Sequence, residues 1–288
     1  MAAGYGYTKQ LGYHPLLATR AGTGEVLFSR MRRGTANTAR GVIRFVDELA
    51  ANLARAGATG PITVRADSGF WSWKLCDRLD AHGIAWSITV RMHANMQAAI
   101  AGIDDDAWAD IDYTIGGQAQ VAETTYTAGQ GKKKRRTVRL VVRRTRLVEP
   151  AQRRLWPDWR HHAFITSDTK ISMIAADQFH REHAVVELAI RDLKEGAGLD
   201  HIPSGHYHAN AAWLACSVLA HNLGCWTTML AEQLPVTNRT RRTRLISVPA
   251  VIANRSGRLL IRFPTRWPSA DQFNTALNAL RALPAPSG

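Results

Sequence analysis

The chain has 288 residues, 45% of them apolar, enough to bury at least one sizeable core. Its 37 Lys and Arg against 23 Asp and Glu leave a formal charge of +14, which favours a polyanionic partner through counterion release and steered encounter. The plainer alternative is a soluble basic protein without such a partner. Cys76, Cys216 and Cys225 have no metal-ligand spacing and cannot all pair, which argues against a disulfide framework or a structural zinc and fits a reducing cytosol.

The first residues form neither a signal peptide nor a transit segment. Leu11 to Thr19 and Glu25 to Arg30 read as strands joined by the turn Ala21-Gly22-Thr23-Gly24. Thr38 to Ala56 has helical apolar spacing. A short strand, 62–66, runs into Asp67-Ser68-Gly69, a helix follows over 71–81, and 85–90 is another strand. This alternation is an α/β pattern.

The next block, 92–170, is polar with short alternating segments and reads as a β-rich insertion. Within it, 119–127 and 137–148 flank a basic tip, suggesting a long hairpin. One helix is expected over 173–195 and another over 209–234. The apolar stretch Ala211 to Leu234 is broken by His221, Asn222, Glu232 and Gln233, so it reads as a buried helix rather than a membrane span, with Trp213 and Trp226 in the core. A hairpin (247–253 and 258–263) and a helix (269–283) close the chain. The expected organisation is a first core part (1–91), the insertion (92–170), a helical completion (171–235) and a C-terminal hairpin and helix (236–288).

Two carboxylates stand out. Asp67 sits where an apolar strand ends, the place where reacting groups gather in open α/β sheets. An Asx-turn or a helix N-cap is the competing role. On one continuous helix, His180, His183, Glu187 and Lys194 fall within an arc of roughly 60°. They border the apolar Val186, Ile190 and Leu193, as a stripe facing a cleft would; a solvated face is the competing role. A transition-metal site at His180, His183 and Glu187 is a further, weaker reading. Phe70, Trp71 and Trp73 are expected in the core, with base stacking as the alternative.

The segment His180-x2-His183-x3-Glu187-x6-Lys194 keeps the spacing of the Tyr-x2-Arg-x3-Glu-x6-Lys motif. Val64-Arg65-Ala66-Asp67-Ser68-Gly69-Phe70, the opening Tyr5 to Leu16 and the tail from Ser247 to Pro268 also resemble segments of the same group. Through these residues the whole chain resembles the DDE transposases of bacterial insertion sequences. The resemblance implies an α/β, RNase H-like mixed sheet flanked by helices, with a β-rich insertion between the second and third catalytic carboxylates. It implies metal-dependent strand cleavage and transfer at transposon ends, with Asp67 and Glu187 as catalytic and metal-binding residues. Two Mg²⁺ or Mn²⁺ ions are expected in an intact site. His180, His183 and Lys194 are expected to contact DNA.

The basic run Lys132, Lys133, Lys134, Arg135 and Arg136, extended by Arg139, Arg143, Arg144 and Arg146, is a second candidate DNA contact, as is the cluster Arg239, Arg241, Arg242 and Arg244. The expected partners are double-stranded transposon ends and target DNA, with a homodimer possible and no membrane. The expected location is the bacterial cytoplasm, on the nucleoid when DNA is bound.

The sequence departs from the family pattern in two ways. Histidines replace the motif's Tyr and Arg, and a histidine is only partly charged near neutrality. No acidic residue precedes Glu25, so the first Asp of the family is missing, as in an N-terminally truncated transposase or one with a misplaced start. An inactive DNA-binding remnant that associates with intact transposase is therefore the alternative. An unrelated metal-dependent nuclease of the same fold is a third reading, against which the His180 to Lys194 spacing argues.

Overall fold

The computed structural model describes residues 3–6, 9–113, 117–129, 135–147, 159–182, 184–231, 236–264 and 266–284. The chain divides into two compact units, one made of 1–36 with 184–288 and the other of 37–183.

The first unit begins with β1 (Gly4–Tyr5) and β2 (Leu11–Gly12), which pair antiparallel. The hairpin β3 (Leu16–Thr19) and β4 (Val26–Arg30) follows as a separate two-stranded sheet. The turn expected around Gly22 and Gly24 forms, and both glycines take φ of +84°, where a Cβ is strained.

The second unit contains α1 (Val42–Arg55), β5 (Thr63–Ala66), α2 (Trp73–Ala81), β6 (Ala85–Thr89), α3 (Ala94–Ala101), β7 (Ala109–Ile111), β8 (Gly117–Ala128), β9 (Arg136–Leu147), β10 (Arg160–Thr166) and α4 (Met173–Arg181). Its six-stranded sheet has the order β5-β6-β10-β9-β8-β7. Only β5 and β6 are parallel, joined through α2; the other pairings are antiparallel. The strands between residues 109 and 166 therefore continue the sheet that carries Asp67 at its edge.

Period-2 alternation gives this sheet two buried faces. Leu140, Val142, Ala163 and Ile165 point to the side covered by Val42 and Val46 of α1, Leu75 and Leu79 of α2, and Met96 and Ile100 of α3. Val121, Val141 and Phe164 point to the opposite side, where they meet Ala176 of α4. Two of the helices start where the sequence supplies a serine cap. Ser72 caps α2 by accepting from Leu75 N at 3.3 Å, and Ser172 caps α4 by accepting from Ala175 N at 3.2 Å.

The single helix expected over 173–195 is two helices. The backbone leaves α4 at Arg181, and α5 (Ala184–Ala197) starts afresh in the first unit. α6 (Tyr207–Leu230), α7 (Asn238–Arg241), a wider helical turn over Arg242–Ile246, the hairpin β11 (Val251–Arg255) and β12 (Arg258–Arg262), and α8 (Ala270–Arg281) complete that unit. α6 packs along β4, where Asn222 imitates a neighbouring strand: its Oδ1 accepts from Val26 N at 2.8 Å and its Nδ2 donates to Val26 O at 2.9 Å. The burial expected for Trp213 and Trp226 does not hold, because α6 turns its polar residues inward and leaves both tryptophans exposed. Among the described residues no helix is long and apolar enough to cross a membrane.

α5 is pinned by its neighbour in the unit. Both Asp192 carboxylate oxygens accept from Asn238 N, at 2.8 and 3.0 Å, and Arg242 donates to Gly196 O at 2.7 Å. This approach needs a glycine: a Cβ on Gly196 would lie 2.5 Å from the Asn238 Cβ. Gly196→Ala should therefore destabilise the fold by about 1–3 kcal/mol in urea denaturation. Gly205→Ala, which meets nothing within 4 Å, should leave the midpoint nearly unchanged.

Candidate active site

Asp67 follows β5 directly, and its side chain is exposed. Its Oδ1 accepts from Gly69 N at 2.7 Å, so the Asx-turn foreseen as a competing role does form. That bond uses one oxygen; the other carries no hydrogen bond among the described residues. The turn is tight enough to need its glycine, since a Cβ on Gly69 would meet the Thr38 side chain at 2.9 Å and Asp67 Oδ1 at 3.0 Å. Asp67 is thus held rigidly at a strand end with a free acceptor edge.

Glu187 lies in the first turn of α5 and Lys194 in its last, both exposed. Seven residues put them on nearly the same face, two turns apart. Asp192, on the same helix, is the residue that fastens α5 to α7.

His180 is placed otherwise than expected. It belongs to α4, where its ring stacks on Phe164 at 4.0 Å with a 7° interplanar angle. Its Nδ1 is hydrogen-bonded to Ser87 Oγ at 2.7 Å and its Nε2 to Thr89 Oγ1 at 2.9 Å. A neutral imidazole donates to one hydroxyl and accepts from the other, which leaves neither ring nitrogen for phosphate. The helix break beyond Arg181 also removes the continuous stripe on which the metal reading of His180, His183 and Glu187 rested. His183 itself lies outside the described residues, as do Lys132, Lys133 and Lys134.

The rest of the basic hairpin divides sharply. Arg135 is exposed. Arg136, expected to grip DNA, instead pairs with Asp77 and with Asp80 (2.6 Å) and lies over the rings of Trp73 and Trp86 at 5.0 and 5.5 Å. Arg139 is bound to Glu123 and donates to the carbonyls of Asp168 and Ile171. Arg143 pairs with buried Asp177 at 3.3 Å. The reason is their position on an interior strand: a cation there is tolerated when a carboxylate or carbonyl meets it. The second cluster divides in the same way. Arg241 is buried against Thr228, Asn238 and Val236 O, Arg242 is tied to Gly196, and Arg239 and Arg244 stay exposed.

A basic and aromatic ladder escaped the sequence reading. Arg144 lies over Trp108 at 4.1 Å and over Trp159 at 4.7 Å, and Arg146 lies over Trp159 at 4.5 Å. Gln120 and Gln118 on the paired strand accept from Arg144 Nε at 2.7 Å and Arg146 Nε at 2.6 Å. Beside it Trp108, Arg144 and His161 line a cavity of about 540 Å³ with Met92, Ile100 and Asp105. The available signal was the pairing of Gln-x-Gln in β8 with Arg-x-Arg in β9; the tryptophans are too far along the chain to be tied to it from sequence.

Phe70, Trp71 and Trp73 pack against the main core, as the core reading expects. His161 and His162 lie at the exposed start of β10, and partial desolvation lowers the pKa of both, with Arg144 and Arg143 respectively adding to the effect, so their contribution to stability is small. A depressed histidine pKa contributes stability that is present above the unfolded value and lost as pH falls through the folded one. Stability should therefore decline slightly as the pH drops below the ordinary histidine range. His161→Gln with His162→Gln should flatten that decline in melts taken across pH; an unchanged slope would mean that other groups carry it.

Comparison with known proteins places the whole chain. Residues 2–285 match a family model described as "Transposase DDE domain group 1". No curated protein matches the sequence. Among solved structures, the chain is similar to that described as "Cryo-EM structure of piggyBac transposase synaptic complex with hairpin DNA (SNHP)", with 12% identity and a TM-score of 0.47. That similarity covers 84% of this chain and 47% of the other, so this chain spans about half the length of its structural neighbour. With the family model matched almost from end to end, the chain belongs to the DDE transposases.

Proposed function

We propose that the chain is the catalytic-core part of an insertion-sequence transposase, and that Asp67 and Glu187 are its metal-binding carboxylates. The observation that carries the reading is the family match over residues 2–285. Local geometry supports it: one carboxylate sits at a strand end with a free oxygen, and the other shares a helix face with Lys194. The mixed sheet flanked by helices is consistent with an RNase H-like fold. Hard oxygen donors suit Mg²⁺ or Mn²⁺, although no group of three potential ligands is gathered among the described residues. When bound, such ions activate an attacking oxygen and stabilise a leaving one at a phosphodiester. The chain's own part is to hold the carboxylates in place and to meet phosphate with Lys194, Arg135, Arg239 and Arg244; Lys132, Lys133, Lys134 and His183 are further proposed contacts. Double-stranded transposon ends and target DNA are the proposed substrates. Two copies would hold two ends, in a bacterial cytoplasm and on the nucleoid.

The net charge of +14 also supports a second reading, in which the chain binds DNA and does not cut it unaided. On this account the purified chain binds duplex DNA, with affinity falling roughly 100-fold or more between about 50 and 200 mM salt. It produces no end cleavage in Mg²⁺ on DNA carrying the element's own ends. Salt-independent or undetectable binding in gel shifts contradicts DNA as the partner. Efficient cleavage that disappears in Asp67→Ala contradicts the two-carboxylate account and supports a complete enzyme.

A further inference from the structure

One row of side chains runs across four strands of the six-stranded sheet. Asp110 of β7 stands opposite Gln120 of β8, Gln120 opposite Arg144 of β9, and Arg144 opposite His161 of β10. Asp110 Oδ1 accepts from Gln120 Nε2 at 2.9 Å, and Gln120 Oε1 accepts from Arg144 Nε at 2.7 Å. The amide is thereby held in one orientation, and it fixes the plane of the guanidinium. The indoles of Trp108 and Trp159 lie against that guanidinium at 4.1 and 4.7 Å. What Arg144 has left to offer is its terminal edge. Among the described residues Nη1 and Nη2 make no hydrogen bond, and the ion-pair partner Asp105 is fully exposed and 3.8 Å from Nη1.

The other arginines of β9 are neutralised where they stand. Arg136 meets Asp77 and Asp80, Arg139 meets Glu123, and Arg143 meets Asp177. Arg144 is held by an amide and two indoles instead, which fix it without cancelling its charge. It lines a cavity of about 540 Å³, a size that suits a small molecule. Met92, Ile100 and Trp108 give the cavity apolar walls, and Gln97 and Asp105 add polar groups at exposed positions. Apolar walls with a few fixed polar groups are the usual make-up of a ligand site. A guanidinium of set plane donates two parallel bonds to an oxyanion, where a lysine supplies only a point charge.

We propose that this cavity binds a nucleoside monophosphate, with its phosphate on the terminal edge of Arg144 and its base against Met92 and Ile100. Each part of the site selects a part of the ligand. The fixed guanidinium calls for an oxyanion, and a chain of charge +14 draws phosphates towards it. Inorganic phosphate would leave the apolar walls unused. A purely apolar acid would make no use of Gln97 and Asp105, which match the hydrogen-bonding edge of a base. The inference does not rest on the chemistry proposed above: a chain that binds no metal and cuts no DNA would still hold the nucleotide.

The test is titration calorimetry of the full chain at about 150 mM salt, where loose surface attraction is screened. The probes are adenosine monophosphate, adenosine and inorganic phosphate. The expected result is saturable binding of one monophosphate per chain with a Kd below about 1 mM, and binding of adenosine and of phosphate each about tenfold weaker or more. Arg144→Gln and Arg144→Lys should both weaken the monophosphate about tenfold or more, because neither keeps the charged fork. Arg255→Gln with Arg258→Gln, at exposed arginines of the β11–β12 hairpin, should leave its binding unchanged. If circular dichroism shows the Arg144 variants unfolded, Ala101→Trp decides, since it fills the cavity from an exposed position and should abolish binding. Monophosphate that binds no better than inorganic phosphate overturns the proposal, as does full binding by a folded Arg144→Gln or by Ala101→Trp. A single strand of about ten nucleotides that binds through Arg144 when the monophosphate does not also overturns it, and assigns the arginine to a strand contact.

Discussion

Strand β9 is buried on both faces, and much of the second unit follows from that constraint. Leu140 and Val142 face one helical layer and Val141 faces the other, all fully buried. The same strand carries Arg136, Arg139, Arg143, Arg144 and Arg146. A cation on such a strand must be met by a carboxylate, a carbonyl or an aromatic face, because an unpaired buried charge costs several kcal/mol. So Asp77, Asp80, Glu123 and Asp177 are drawn to it, and Trp108 and Trp159 stack along its outer end. What composition presents as one block of positive charge is thereby divided into arginines that build the sheet and a remainder free to meet phosphate.

The same distinction explains how far the sequence could be read. Strand ends and turns were legible because their signals are local. Asp67 at the end of β5 and the caps Ser72 and Ser172 depend on residues two or three positions away. The helix break after Arg181 was not legible, since the apolar period continues across 182–183 and nothing there resembles a stop. The partners of His180 lie more than ninety residues upstream on β6, beyond any periodicity argument. α6 misled most. Its composition says core, yet a network involving Gly24, Asn238 and Arg241 chooses the polar face for the inside.

At the carboxylates, sequence and structure contribute differently. The family match and the Glu187 to Lys194 spacing point to the chemistry. The structure adds the means of holding each group: a glycine-dependent Asx-turn at Asp67, and at Glu187 a helix clamped through Asp192 and Gly196 to α7. Removing His180 from the phosphate-gripping set leaves Lys194 as the motif's described cation. It also explains how a histidine can stand where the family has tyrosine, since here the position serves the sheet.

The claim on which most depends is that Asp67 and Glu187 bind a divalent metal ion. Iron-mediated backbone cleavage tests it directly: Fe²⁺ replaces Mg²⁺ and generates hydroxyl radicals that cut the chain near its ligands. The account predicts fragments from cuts beside residues 67 and 187, suppressed by excess Mg²⁺ and lost together in Asp67→Asn. Cuts at neither position, or cuts unaffected by Asp67→Asn, would contradict it.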